Sequence, residues 1–185
     1  MHDGDSHDTD TGNAAHPERD ARLKAARGPS AEDEAYDIRI ARDGTWFYRG
    51  TPIARPALVK LFATVLRRDD AGDFWLVTPA EKGRITVEDA PFVAVAMTAD
   101  GKGRNRRLTF RTNLDHEVEA GPEHPITVVH DRETGEPRPY IHVRDRLDAL
   151  IARSVFYDLV DLAEEHEART GVWSKGRFFP LDQGP

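Results

Sequence analysis

The side chains able to do chemistry in this sequence are histidines, carboxylates and arginines. There is no cysteine, which excludes disulfides, thiolate metal sites, iron–sulfur ligation and cysteine nucleophiles. Three groupings stand out. His116, Glu117, His124, His130 and His142 are of metal-ligating type, but nothing in their spacing demands a metal, and satisfied or exposed histidines are the expectation. Asp115-His116-Glu117, with Asp89, offers a base and carboxylates for acid–base work in a small-molecule hydrolase. Neighbouring residues on a strand point to opposite faces, so His116 shares a face with neither neighbour unless a bulge intervenes. The third grouping sets polar residues in apolar surroundings: Arg55 before the first helix, Asn113 after the strand containing Phe110, and Arg153 with Tyr157. Arg153 and Tyr157 are four apart and share a helix face. These four are the expected ligand-binding residues, suited to an anionic molecule; Arg153 and Tyr157 are equally suited to holding Glu88 or Asp89 as a clamp between subdomains. No catalytic residue, metal or cofactor is expected.

The segment Gly101-Lys102-Gly103-Arg104-Asn105-Arg106-Arg107, with Arg111, is a fourth, weaker grouping. It lacks the Lys-Ser/Thr and the following helix of a phosphate loop. Five bases in ten residues suit a nucleic-acid backbone. Phe110 is the only ring nearby, however, and Asp100, Glu133 and Glu136 oppose a continuous basic face. A solvated hairpin loop is the expectation, with nucleic acid an unlikely partner. Walker, dinucleotide, nucleophile-elbow, zinc-protease and EF-hand patterns are absent.

The elements that must position these residues begin near Tyr36. Tyr36, Ile38 and Ile40 alternate with polar partners, Asp43-Gly44 turns, and Trp46 and Tyr48 resume the two-residue period of a β-hairpin. From Pro56, which suits a first helical turn, Leu58, Leu61, Phe62, Val65 and Leu66 form a helical stripe. Phe74 to Val77 reads as a strand, and Thr78-Pro79-Ala80-Glu81 as a capping box opening a short helical turn. A predominantly β stretch follows, with strands at 92–97, 108–111, 115–118, 126–129 and 139–143. Residues 147–166 read as one long amphipathic helix covering the sheet. The expected fold class is α+β: a small hairpin-helix-strand unit at 35–83, then at 84–185 a mostly antiparallel curved sheet or partial barrel covered by the long C-terminal helix. Trp173, Phe178, Phe179 and Leu181 suggest an aromatic tail that packs back on the domain or joins two copies into a homo-oligomer.

Of 185 residues, 33 are acidic and 26 basic. The first 34 hold nine acids and four bases, so −5 of the net −7 falls there. With Met1 and Leu23 as its only large apolar residues, that segment reads as a disordered acidic tail. The remaining 151 residues suffice for one core or two small ones. No apolar run is long enough to span a membrane and the N-terminus lacks a secretory pattern, so the expected location is cytoplasmic.

The pieces Trp46…Gly50-x-Pro52-Ile53-x-Arg55, Leu61-Phe62, Leu76-Val77-Thr78-Pro79-x-Glu81-Lys82 and, most distinctive, Val87-Glu88-Asp89-Ala90-Pro91-Phe92 together resemble DUF1285, a family of uncharacterised bacterial proteins. Thr112-Asn113, Pro139-Tyr140, Arg153-x3-Tyr157 and Trp173-Ser174-x-Gly176-x-Phe178-Phe179 are similar to the same family. The resemblance spans about residues 36–181 and implies a two-part α+β architecture; it implies no activity. The functional expectation is a non-enzymatic binding or regulatory module. Its partner is a small polar or anionic molecule, or a protein segment, held between subdomains or on the curved sheet.

Overall fold

The computed structural model describes residues 35–183; the expected acidic tail lies outside the described residues. The first unit is built from β1 (Ala35–Ile40), β2 (Trp46–Tyr48), β3 (Thr51–Pro52), helix α1 (Pro56–Thr64), β4 (Leu66–Arg68), β5 (Phe74–Val77) and β6 (Lys82–Val87). Alternation buries Ile38 and Ile40 on one face of β1, opposite Tyr48 and Trp46 of β2. The turn between them needs Gly44, whose φ of +85° is costly for any residue with a Cβ. Strand order is β3-β2-β1-β6-β5-β4, with β1 and β6 parallel at the centre and every other pair antiparallel. Helix α1 leaves one edge of this sheet and returns the chain to the other, burying Val59 and Ala63.

The second unit contains β7 (Phe92–Asp100), β8 (Arg107–Thr112), β9 (Glu117–Glu119), β10 (Ile126–His130), β11 (Pro137–Arg144), β12 (Leu147–Ile151) and helix α2 (Arg153–Val160). Its curved, partly closed sheet has the order β10-β11-β12-β7-β8-β9, again with one parallel pair, β12 and β7, at the centre. The two sheets therefore share one connectivity: two three-strand meanders whose last strand lies beside the first. A third sheet, β13 (Glu164–His166), β14 (Arg169–Ser174) and β15 (Arg177–Pro180), follows α2. Val172, Trp173, Phe179 and Leu181 are buried within the chain itself. Ser174 ties this sheet to the curved one: its buried hydroxyl accepts from Leu108 N at 3.0 Å and donates to Ala120 O at 2.7 Å.

The α+β class and the two-part layout agree with the sequence expectation, but four local readings differ. The apolar pattern at 147–166 is divided among β12, the eight-residue α2 and β13. Leu147, Ala149 and Ile151 are buried at a two-residue period, and pairing with both β11 and β7 outweighs the helical periodicity that the same residues support. Thr78–Glu81 forms the β5–β6 turn, not a helical one. Thr78 Oγ1 does accept Glu81 N at 3.1 Å, as a capping box requires, but Thr78 N donates to Glu81 O at 2.9 Å and closes a hairpin. Asp115 lies in a turn at φ +63°, so the following strand starts at Glu117. The junction expected after Gly83 falls inside β6, which pairs with β1 and β5 and belongs to the first sheet.

Candidate functional site: the clefts at the junction

Residues 88–91 cross between the sheets, and polar groups from both units gather around them. Glu88 is taken by Arg39 and by the Arg42 backbone N–H. Asp89, whose side chain is 9% exposed, accepts from the Tyr140 hydroxyl at 2.7 Å. Arg42 Nε lies 3.8 Å and Arg138 Nη1 4.0 Å from its other oxygen. A buried carboxylate is tolerated only with such partners. Burial, followed by the bond to Asp89, pushes the Tyr140 hydroxyl up to about 12, so it remains a donor throughout the physiological range.

Asp89 forms part of the wall of two clefts. One, of about 430 Å³, is lined by Arg42, Glu136, Arg138, Arg153, Phe156 and Tyr157 among others. The other, of about 390 Å³, includes Arg68 and Phe74 from the first unit and Thr127, Tyr140, His142 and Asp148 from the second. In this second cleft, His142 on β11 lies opposite Asp148 on β12, with Nδ1 2.9 Å from the carboxylate. An ionised carboxylate only accepts, so Nδ1 is the donor of this contact.

The expected site residues go to three places. Arg153 and Tyr157 line the larger junction cleft together, with Arg153 Nε donating to the Tyr157 hydroxyl at 2.8 Å. The clamp on Asp89 is made by Tyr140, Arg42 and Arg138. Asn113 joins the two units: its Oδ1 accepts from Val93 N at 3.0 Å, and its Nδ2 donates to Gly44 O at 3.3 Å. Arg55 is the N-cap residue of α1 and lines a separate cavity of about 880 Å³ in the first unit. His116 lines none of these spaces. It packs edge-on to Phe92 at 5.6 Å, and burial, then the Arg144 and Lys60 charges, hold it below the ordinary histidine range. Asp89, the carboxylate considered with His116 for a hydrolase, accepts from the Tyr140 hydroxyl.

Among the described residues, no three histidine or carboxylate side chains are grouped to hold a metal. His124 and His142 do approach, with ring centroids 6.3 Å apart, but Nδ1 of His124 lies 3.1 Å from the His142 carbonyl. The bases of the 101–107 loop are largely answered internally. Arg106 binds Leu162 O and Glu164, Arg107 binds Glu119, Arg111 approaches Asp115, and Arg104 lies over the Trp173 ring.

Sequence reasoning missed Arg42, Arg138, Tyr140 and the His142–Asp148 pair. A signal for two of them was present, because Tyr140 and His142 are two apart on an alternating strand and must share a face.

The domain models of DUF1285, a protein family of unknown function, match this chain in two adjoining pieces. The N-terminal domain model covers residues 28–90 and the C-terminal one residues 91–181. A crystal structure of a DUF1285 family protein from Silicibacter pomeroyi DSS-3 is 48% identical, with a TM-score of 0.77, covering 87% of this chain and 92% of that one. A second, from Shewanella baltica OS155, is 25% identical with a TM-score of 0.53, covering 68% of this chain and 91% of that one. No curated protein matches.

Proposed function

The chain belongs to the bacterial DUF1285 family, and from that premise we propose that it is a cytoplasmic, non-enzymatic binding module holding a small anionic molecule in the cleft between its two units. The observation that carries this reading is the convergence of Arg42, Arg138 and Arg153 on one space of about 430 Å³. They come from the turn of the first hairpin, β11 and the start of α2. Cavities of this size suit small ligands. Guanidinium forks recognise carboxylates and phosphates with two parallel hydrogen bonds.

Two carboxylates, Asp89 and Glu136, share the wall. Asp89 is already bonded to Tyr140, and its two arginines stand at 3.8 and 4.0 Å, so both keep donors for a ligand. Arg153 has the Tyr157 hydroxyl, not a carboxylate, as its hydrogen-bond partner. Leu150, Ile151 and Phe156 supply apolar surface for the ligand's body. Because Arg42 belongs to the first unit and Arg138 and Arg153 to the second, an occupant bridges them and favours their present arrangement, as expected of a regulatory module.

Native mass spectrometry of protein purified from its own cells tests this reading. An anionic metabolite should be retained, and Arg153→Gln should weaken its binding about 10- to 100-fold, the worth of one charge-assisted contact. A folded wild-type protein without an adduct, and without a thermal shift on adding carboxylates or phosphates, overturns it.

A further inference from the structure

A space larger than either junction cleft lies in the first unit. A cavity of about 880 Å³ is lined by Arg55, Leu58 and Phe62 from the start of α1 and by residues of the first sheet that include Ile38, Tyr48 and Leu76. Its wall is predominantly apolar. Leu76 and Ile38 are 4% and 7% exposed, while Leu58 at the rim is 37% exposed. Leu58 and Phe62, four apart, share one face of α1 above the cavity, and Arg55, the residue before the helix, lies on the same wall. Among the described residues, no carboxylate pairs with Arg55, and its side chain does not cap the helix.

From this arrangement we infer that the cavity binds an anionic amphiphile, a carboxylate carrying an apolar chain, with its head on Arg55 and its chain between α1 and the first sheet. The volume falls within the range of sites for molecules of that size. A wall this apolar gains most from a ligand with an apolar body, since stabilisation follows apolar area withdrawn from water. Asp37, Arg49 and Glu81 also reach the wall. Arg49 lies over the Tyr48 ring, with its guanidinium carbon 5.2 Å from the centroid. Asp37 and Glu81 are exposed and remain hydrated. A guanidinium is more weakly hydrated than other ionic side chains, so Arg55 is the group that loses least by exchanging water for a ligand's head.

The site is separate from the junction cleft, so the two readings fail independently. Decanoate, decanol, decylamine and pyrophosphate are titrated into the full chain, following the fluorescence of Trp46, which stacks on Phe62 at 6.3 Å. Decanoate should bind saturably at one site, and more tightly than either decanol or decylamine. Arg55→Gln should weaken decanoate about tenfold while moving decanol less than about threefold. Leu58→Trp, which places a larger ring at the rim, should weaken both chains. Pyrophosphate should not compete with decanoate, and Arg153→Gln should leave decanoate binding unchanged. The inference is overturned if decanoate fails to saturate below about 1 mM, if decanol or decylamine binds at least as tightly, or if Arg55→Gln affects decanoate and decanol alike.

Discussion

In the first sheet the helix comes between the third and fourth strands and crosses the sheet from edge to edge. In the second, residues 120–125 join the corresponding strands without a helix, and α2 follows the sixth strand. The connectivity is the same, yet the filling differs. Among the described residues, eight buried apolar side chains lie before Val87 and twenty-one from Ala90 onward. Phe92, Leu108, Phe110, Ile141 and Leu147 are fully buried in the second unit, which also receives Val172, Phe179 and Leu181 from the third sheet. The first sheet receives α1, whose Leu61 is 60% exposed, and it keeps an open cavity. The difference teaches that topology does not dictate where a protein leaves room for a ligand; the supply of apolar side chains does.

The largest expected effect sets the two sheets against each other. Phe110→Ala, in the packed sheet, removes a fully buried ring and should cost about 3–5 kcal/mol in denaturant unfolding. Phe62→Ala, at a half-buried wall of the cavity, enlarges existing space and should cost less than about 2 kcal/mol. Equal losses would break the contrast.

A smaller effect is expected at the seam. Asn113→Ala leaves Val93 N–H and Gly44 C=O without their bonds and should cost about 1–3 kcal/mol. Amide exchange should quicken at Val93 while Leu108, bonded to Ser174, keeps its protection. If neither amide changes, Asn113 does not couple the units.

The smallest effect concerns His116, held below its ordinary pKa by burial and by Arg144 and Lys60. The unfolded chain takes up this proton first. Stability from this group is therefore complete above about pH 6.5 and declines as pH falls through that value toward the folded pKa. His116→Gln should flatten the dependence of the unfolding midpoint on pH below about pH 6.5. An unchanged slope would remove His116 as its source.

Much of the fold could be read from local pattern. The first hairpin, the helix at Pro56 and the strand at Phe74 occur where alternation, a proline and a short apolar run put them. So do most strands of the second sheet, because these signals act within a few residues. The errors arose where a segment supports two periodicities, as at 147–166, or where one hydrogen bond serves two motifs, as at Thr78. Those choices are settled by strand partners distant in sequence. The candidate sites were legible in part. Arg55, Arg153 and Tyr157 stood out as polar residues in apolar settings, and the structure puts them at the walls of two spaces. Arg42 and Arg138 did not stand out, because a lone arginine in a turn or on a strand looks like surface.

By itself the sequence determined the absence of thiol chemistry, the α+β class, the two-part division and the family resemblance. Each of these is written in residue types and short spacings. The tertiary structure alone decided that two sheets repeat one connectivity, that Asp89 is enclosed by Tyr140, Arg42 and Arg138, and that the first sheet is hollow where the second is filled. Strand order, the convergence of charges from distant segments and unfilled volume depend on contacts between residues tens of positions apart, which no local pattern records.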